Sequence, residues 1–173
     1  MKRPVRRLSV VGEVAYRDEA EGCLREPGDA ALVSRGRPRA LLIACPDGCG
    51  ETLAINLDPR AGKAWRLYTR GGGVTLYPSV WRDGGCGSHF IVWRGAILWC
   101  GRFEQDNREP SVDPALEPRV LAAMDTRDPI NAEALAQAVD ELEWDVARAA
   151  RRLVEKGVAL SCKIEDTVHF IRL

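Results

Sequence analysis

Apolar and polar positions follow two rhythms along this chain. Over residues 8–103 the apolar positions come in short runs broken by turn residues. Residues 8–15, 31–34, 40–44, 52–57, 65–69, 74–81, 89–93 and 96–102 have strand length and composition. Glu26-Pro-Gly, Gly36, Asp47-Gly, Asp58-Pro, Gly71-Gly-Gly and Asp83-Gly-Gly punctuate them. No helical period of useful length interrupts this half, which predicts a small antiparallel sheet or half-barrel.

The rhythm changes after a polar stretch carrying Pro110, Pro114 and Pro118. Val120, Leu121 and Met124 share one helical face. Asn131 is placed to cap a second helix bearing Leu135 and Val139, and Leu142, Val146, Leu153 and Val154 mark a third that ends at Lys156-Gly157. Two strand candidates follow, 158–163 and 167–173, with Glu165-Asp166 at the turn. Three helices and a β-ribbon predict a winged-helix-like domain. The expected fold class is therefore α+β: a mainly antiparallel β domain over 1–104, a linker over 105–118, and the winged-helix-like domain over 119–173.

Composition narrows the classes. Of the 173 residues, 46% are hydrophobic and 29% charged, enough for a packed core. Lys plus Arg and Asp plus Glu each number 25, so no global field draws in nucleic acid or an anionic membrane. The longest apolar runs, 40–45 and 96–100, fall far short of the roughly 20 residues a membrane span requires. Met1-Lys2-Arg3-Pro4 is basic, but no apolar signal core follows it, which predicts a cytoplasmic location. Asp140, Glu141, Glu143 and Asp145 put carboxylates at the start of the third helix, where phosphate contacts would be needed. Arg148, Arg151 and Arg152 lie near its C-terminus, where the macrodipole accounts for them. This argues against DNA as a partner.

There are six cysteines, and in a reducing compartment clustered thiols point to metal or chemistry. Cys23 and Cys162 stand apart as ordinary thiols. Cys45-Pro-Asp-Gly-Cys49 is a tight turn with a thiol at each end, and Cys86 sits among Gly84, Gly85 and Gly87. A hairpin reversing at Arg94-Gly95 sets Cys100 across from about His89. Cys45, Cys49, Cys86 and Cys100 together suit a closed tetrahedral zinc site that staples the sheet.

Ser88-His89 lies between two of those cysteines. His89 has three readings: zinc ligand spaced two residues from Cys86, general base, or core histidine. A reversal near Gly84 places Ser79 roughly opposite His89, where imidazole can take a proton from a hydroxyl. Ser88 is the other candidate, although neighbours on a strand point to opposite faces. Asp47, Glu51 and Asp83 are candidate third members of a triad.

Cys45-Pro-Asp-Gly-Cys-Gly50, Trp65, Leu76-Tyr-Pro-Ser-Val80, Cys86-Gly-Ser-His-Phe90, Gly95 and Trp99, in that order, resemble a bacterial domain family encoded in ubiquitination-like (Bub) operons. The resemblance covers roughly residues 25–101 and leaves out the helical tail. It implies a serine peptidase that matures a ubiquitin-like protein or removes it from targets, beside activating-like and conjugating-like enzymes. Many members read His-x-Cys-Pro-Cys-Gly-Cys where this chain has Ile43 and Asp47, and many lack a cysteine at 100. A thiol lost at 47 and one gained at 100 keep the count at four. That balance favours a four-cysteine structural zinc and leaves His89 free to act with Ser79 or Ser88. The alternative is a non-enzymatic zinc module that docks a partner through the winged-helix-like domain.

Overall fold

The structure, a computed structural model, describes residues 4–173; the basic start Met1-Lys2-Arg3 lies outside the described residues. The chain divides into a first unit ending at Pro110 and a second from Ser111 to Leu173.

The first unit begins with β1 (Ser9–Val14), α1 (Arg17–Cys23), β2 (Asp29–Ser34), β3 (Pro38–Ala44) and β4 (Thr52–Asn56). These strands form one sheet in the order β1-β2-β3-β4. β1 and β2 pair parallel, and the rest of the sheet is antiparallel. Helix α1 supplies the crossover that a parallel pair needs. It has seven residues and buries only Ala20, against Ala31, Val33 and Leu42 on the outer face of the sheet. So short a helix with a single buried position leaves no 3.6-residue period to read, which is why the pattern of apolar positions did not predict it.

A second sheet follows, built from β5 (Arg66–Tyr68), β6 (Thr75–Trp81), β7 (His89–Trp93) and β8 (Ala96–Trp99), antiparallel throughout and in chain order. Strand side chains alternate between faces. Leu41, Ile43, Leu53 and Ile55 of the first sheet therefore meet Leu76, Val80, Phe90 and Val92 of the second in one core. The segment before β1 ties the sheets together. Val5 N–H donates to Pro46 C=O, Ile97 N–H to Arg6 C=O, and the Trp99 indole to Val5 C=O. Asp58, at the foot of β4, is buried and bonded by Arg37, Arg39 and Arg60.

Residues 105–118 include the end of a 3-10 turn over Glu104–Asp106 and the start of a helix at Leu116. Asn107 holds this segment to β8 through its side chain, which bonds both the N–H and the C=O of Trp99.

The second unit comprises α2 (Leu116–Ala123), β9 (Ile130–Asn131), α3 (Ala132–Val139), α4 (Glu143–Glu155), β10 (Ala159–Ile164) and β11 (Thr167–Arg172). Asn131 Oδ1 accepts from Ala134 N–H, which is the cap its position suggested. Strands β10, β11 and β9 form a small antiparallel sheet. Leu135, Leu142, Val146, Ala150, Leu153 and Phe170 are buried. Two of the four carboxylates at the α3–α4 junction, Glu143 and Asp145, are buried too, and Glu141 pairs with Arg119. The expected solvent-facing acidic cluster is thus smaller than the sequence suggested, because α4 turns two of its carboxylates inward. Arg152 and Lys156 both meet the nearly buried Glu117 of α2. No helix among the described residues is long and apolar enough to cross a membrane.

Candidate active site and metal centre

Two turns, one from each sheet, build the site. The first links β3 to β4. Gly48, at φ +82°, folds the chain back, while Cys45 N–H donates to Glu51 C=O and Gly48 N–H to Cys45 C=O. The second links β6 to β7. There Arg82 N–H donates to Ser88 C=O and Gly87 N–H to Gly84 C=O. A Cβ at Gly85 would meet the Arg82 guanidinium at 2.7 Å, so the glycine lets that side chain fold over its own turn.

Cys45, Cys49 and Cys86 come together here, and Asp47 joins them. Their ligand atoms all lie within 4.8 Å of one another. The Cys45 and Cys86 sulfurs are 3.7 Å apart. Two sulfurs bound at tetrahedral positions around one zinc stand at about 3.8 Å, so the pair already has the spacing a tetrahedral ion requires. Asp47 Oδ1 accepts from Cys49 N–H at 2.8 Å, which aims the carboxylate into the turn, and Arg102 lies 3.4 Å from its other oxygen. Three sulfurs and a carboxylate are a donor set that fits a divalent metal ion.

Cys100, expected as the fourth ligand, is not in this group. Its N–H donates to His89 C=O, as the hairpin register requires, but its thiol is half-buried elsewhere; burial and the nearby Glu104 charge push that thiol up. Asp47, considered from sequence only as a third triad member, stands where the fourth thiol was expected. The available signal was its position between two cysteines of one turn.

The thiols differ in character. Burial pushes Cys45 up to about 12, against an opposing hydrogen bond with Ser88. Cys49 is raised as well, mainly by burial. Burial acts the same way on Cys86, but hydrogen bonds with the Ser88 hydroxyl and backbone and with the other two thiols outweigh it and hold Cys86 below the ordinary thiol value. Asp47 is likewise held down by the thiols and by the Cys49 amide in spite of burial. Ser88 is fully buried, with Oγ 3.0 Å from Cys86 Sγ and 3.4 Å from Cys45 Sγ. Arg82 reaches Cys49 and Cys86 at 3.9 Å each, and Glu51 at 3.4 Å.

The next residue, His89, points to the opposite face. Its Nε2 is 3.1 Å from Ser79 Oγ. The β6–β7 ladder pairs Val80 with Phe90 and Trp81 with His89, so the turn centres on Gly85 rather than Gly84. Trp81 therefore sits directly across from His89, their ring centroids 5.9 Å apart. Ser79 is the diagonal neighbour on the same face, and diagonal partners remain within side-chain reach. The register shifts between Leu76 and Val80, where Pro78 has no N–H to give the ladder. Trp65 Nε1 donates to Ser79 C=O and pins the strand there. Among the described residues no carboxylate bonds His89; Asp47 and Glu51 are engaged at the thiol cluster. The arrangement is a hydroxyl–imidazole pair beside a candidate metal centre, linked by the single peptide between Ser88 and His89.

No curated protein and no solved structure matches the chain. Residues 16–100, most of the first unit, with the three clustered cysteines, Asp47, Ser79, Ser88 and His89 among them, match the model of the family described as bacterial ubiquitination-like system serine protease (BubE), and the first unit is similar to that family.

Proposed function

We propose that the first unit is a serine peptidase acting on the C-terminal tail of a ubiquitin-like protein, with Ser79 as nucleophile and His89 as general base. The observation that carries this reading is the 3.1 Å contact between His89 Nε2 and Ser79 Oγ. His89 takes the Ser79 proton as Oγ bonds to the carbonyl carbon of the tail's final residue. The tetrahedral adduct collapses, the leaving amine departs with the proton His89 returns, and water then hydrolyses the acyl-enzyme by the same proton path. Ser88 is the weaker nucleophile candidate because it is fully buried and engaged with two sulfurs.

In the same reading Cys45, Asp47, Cys49 and Cys86 hold a structural zinc, which would fix the two turns to each other. Four protein donors fill a tetrahedral shell, so the ion's part is to hold β7 in place rather than to activate water. The second unit, with three helices and a small sheet, is read as a winged-helix-like docking module for the ubiquitin-like protein or for its activating-like and conjugating-like enzymes. Glu117 neutralising Arg152 and Lys156 supports a protein partner over DNA.

The test is cleavage of a ubiquitin-like protein of a bacterial ubiquitination-like system that carries a C-terminal extension. Ser79→Ala and His89→Ala should each lose activity by roughly a thousandfold or more while keeping fold and metal. A fluorophosphonate should label Ser79 in the wild type. Full activity in Ser79→Ala sinks the assignment. A wild type that binds the ubiquitin-like protein without cutting it makes the chain a docking module.

A further inference from the structure

The sheet containing β4 ends at β4, which among the described residues pairs only with β3. Its open edge is readable from the hydrogen bonds. Cys45 N–H donates to Glu51 C=O and Leu57 N–H to Arg39 C=O, so residues 51 and 57 direct their backbone toward β3. Backbone direction alternates along an antiparallel strand. Residues 53 and 55 therefore also face β3, and Thr52, Ala54 and Asn56 face outward. Asn56 C=O is taken by Trp65 N–H at 2.8 Å, which leaves the outward groups of Thr52 and Ala54 along the edge.

That edge borders a cleft of about 250 Å³, closed on its far side by Val80, Trp81 and Arg82 and containing Trp65. Both tryptophans connect the cleft to the candidate active site. Trp81 lies across from His89, and Trp65 donates to the carbonyl of Ser79 itself. Trp81 is 67% exposed, an unusual position for a large aromatic that nothing in the first unit's core requires.

We infer that this cleft receives the substrate polypeptide as an added β-strand. An extended segment of about five residues, the length of β4, pairs with the backbone of Thr52 and Ala54. It lays an apolar side chain against Trp81, and its scissile bond continues to Ser79. The occupant is an unfolded peptide segment, because adding a strand to the edge of β4 takes main-chain N–H and C=O groups that are not already paired within a fold. Main-chain pairing supplies affinity, and Trp81 supplies the side-chain preference. The inference rests on the Ser79–His89 reading and adds where and in what conformation the substrate lies.

The test uses the full chain and a mixture of unstructured peptides of about ten residues with varied sequence. Proline at 54 removes an N–H that faces away from β3, a position where an edge strand tolerates it. Ala54→Pro should lower kcat/KM on these peptides by tenfold or more, roughly, with the cut peptides sharing an apolar residue at a constant distance from the cleavage point. Unchanged cleavage by a folded Ala54→Pro overturns the inference. So does a wild type whose Ser79 reacts with a fluorophosphonate but which cuts no extended peptide. If the reagent does not label Ser79, the catalytic reading fails separately. In that case, or if Ala54→Pro does not fold, amide exchange decides for the cleft. Peptide added to Ser79→Ala should protect the Thr52 and Ala54 amides, and no protection overturns the inference.

Discussion

The Ser88 hydroxyl lies 3.0 Å from the Cys86 sulfur. One peptide bond further on, His89 turns to the other face of β7 and meets Ser79. The metal cluster and the hydroxyl–imidazole pair are therefore adjacent along one strand, so whatever fixes the start of β7 also fixes the base. Ser88 holds that start from inside, through contacts with both Cys86 and Cys45. Ser88→Ala should lower affinity for zinc by about ten- to a hundredfold, the usual cost of removing an outer hydrogen bond to a ligand. Competition with a chromophoric chelator measures it, and unchanged affinity would mean the hydroxyl merely fills space.

Asp47 and Cys100 separate two descriptions of the metal site. Only Asp47 belongs to the cluster with Cys45, Cys49 and Cys86. Asp47→Ala should lose zinc or bind it much more weakly, and Cys100→Ser should retain one zinc per chain. Metal analysis of the purified variants decides between them. Asp47→Cys should hold zinc as well, because a thiolate at that position completes a four-sulfur tetrahedral set.

Ser79 and His89 should fail as a unit. If Oγ–H is activated only through Nε2, then Ser79→Ala combined with His89→Ala should be no slower than either single variant. The rates of all three on the extended ubiquitin-like protein give the comparison. Additive losses would show that the two residues act independently and that the 3.1 Å contact does not carry the proton.

Asp58 tests the frame beneath the site. It is buried, bonded by three arginines, and its Oδ1 also accepts from Arg60 N–H to cap a 3-10 turn. Asp58→Ala removes the shared acceptor and leaves three like charges together. The arginines are each 38% exposed or more and can turn to water, which limits the cost. The expected loss is about 2 kcal/mol, read as a lower urea midpoint. A variant as stable as the wild type would mean that the arginines were strained by the cluster rather than held by it.

What can be read directly along the chain is local. Strand length, turn chemistry and the Asn131 cap depend on neighbours a few residues away, so the second sheet and the helices of the second unit were legible in advance. So was the hairpin that places Cys100 opposite His89. The crossover helix α1 was not, because a seven-residue helix burying a single alanine leaves no period in the pattern. The site depends on long-range packing. Cys45 and Cys86 are 41 positions apart and meet at 3.7 Å because two sheets pack face to face and bring their end turns together. The same packing put Asp47 in the cluster in place of Cys100 and sealed Ser88 between two sulfurs. A turn centred one residue later than the glycines suggested put Trp81 across from His89, with Ser79 diagonal to it. Spacing along a chain limits which residues can meet. Which of them do meet is set by the register of strands and the packing of sheets, which involve residues far apart in sequence.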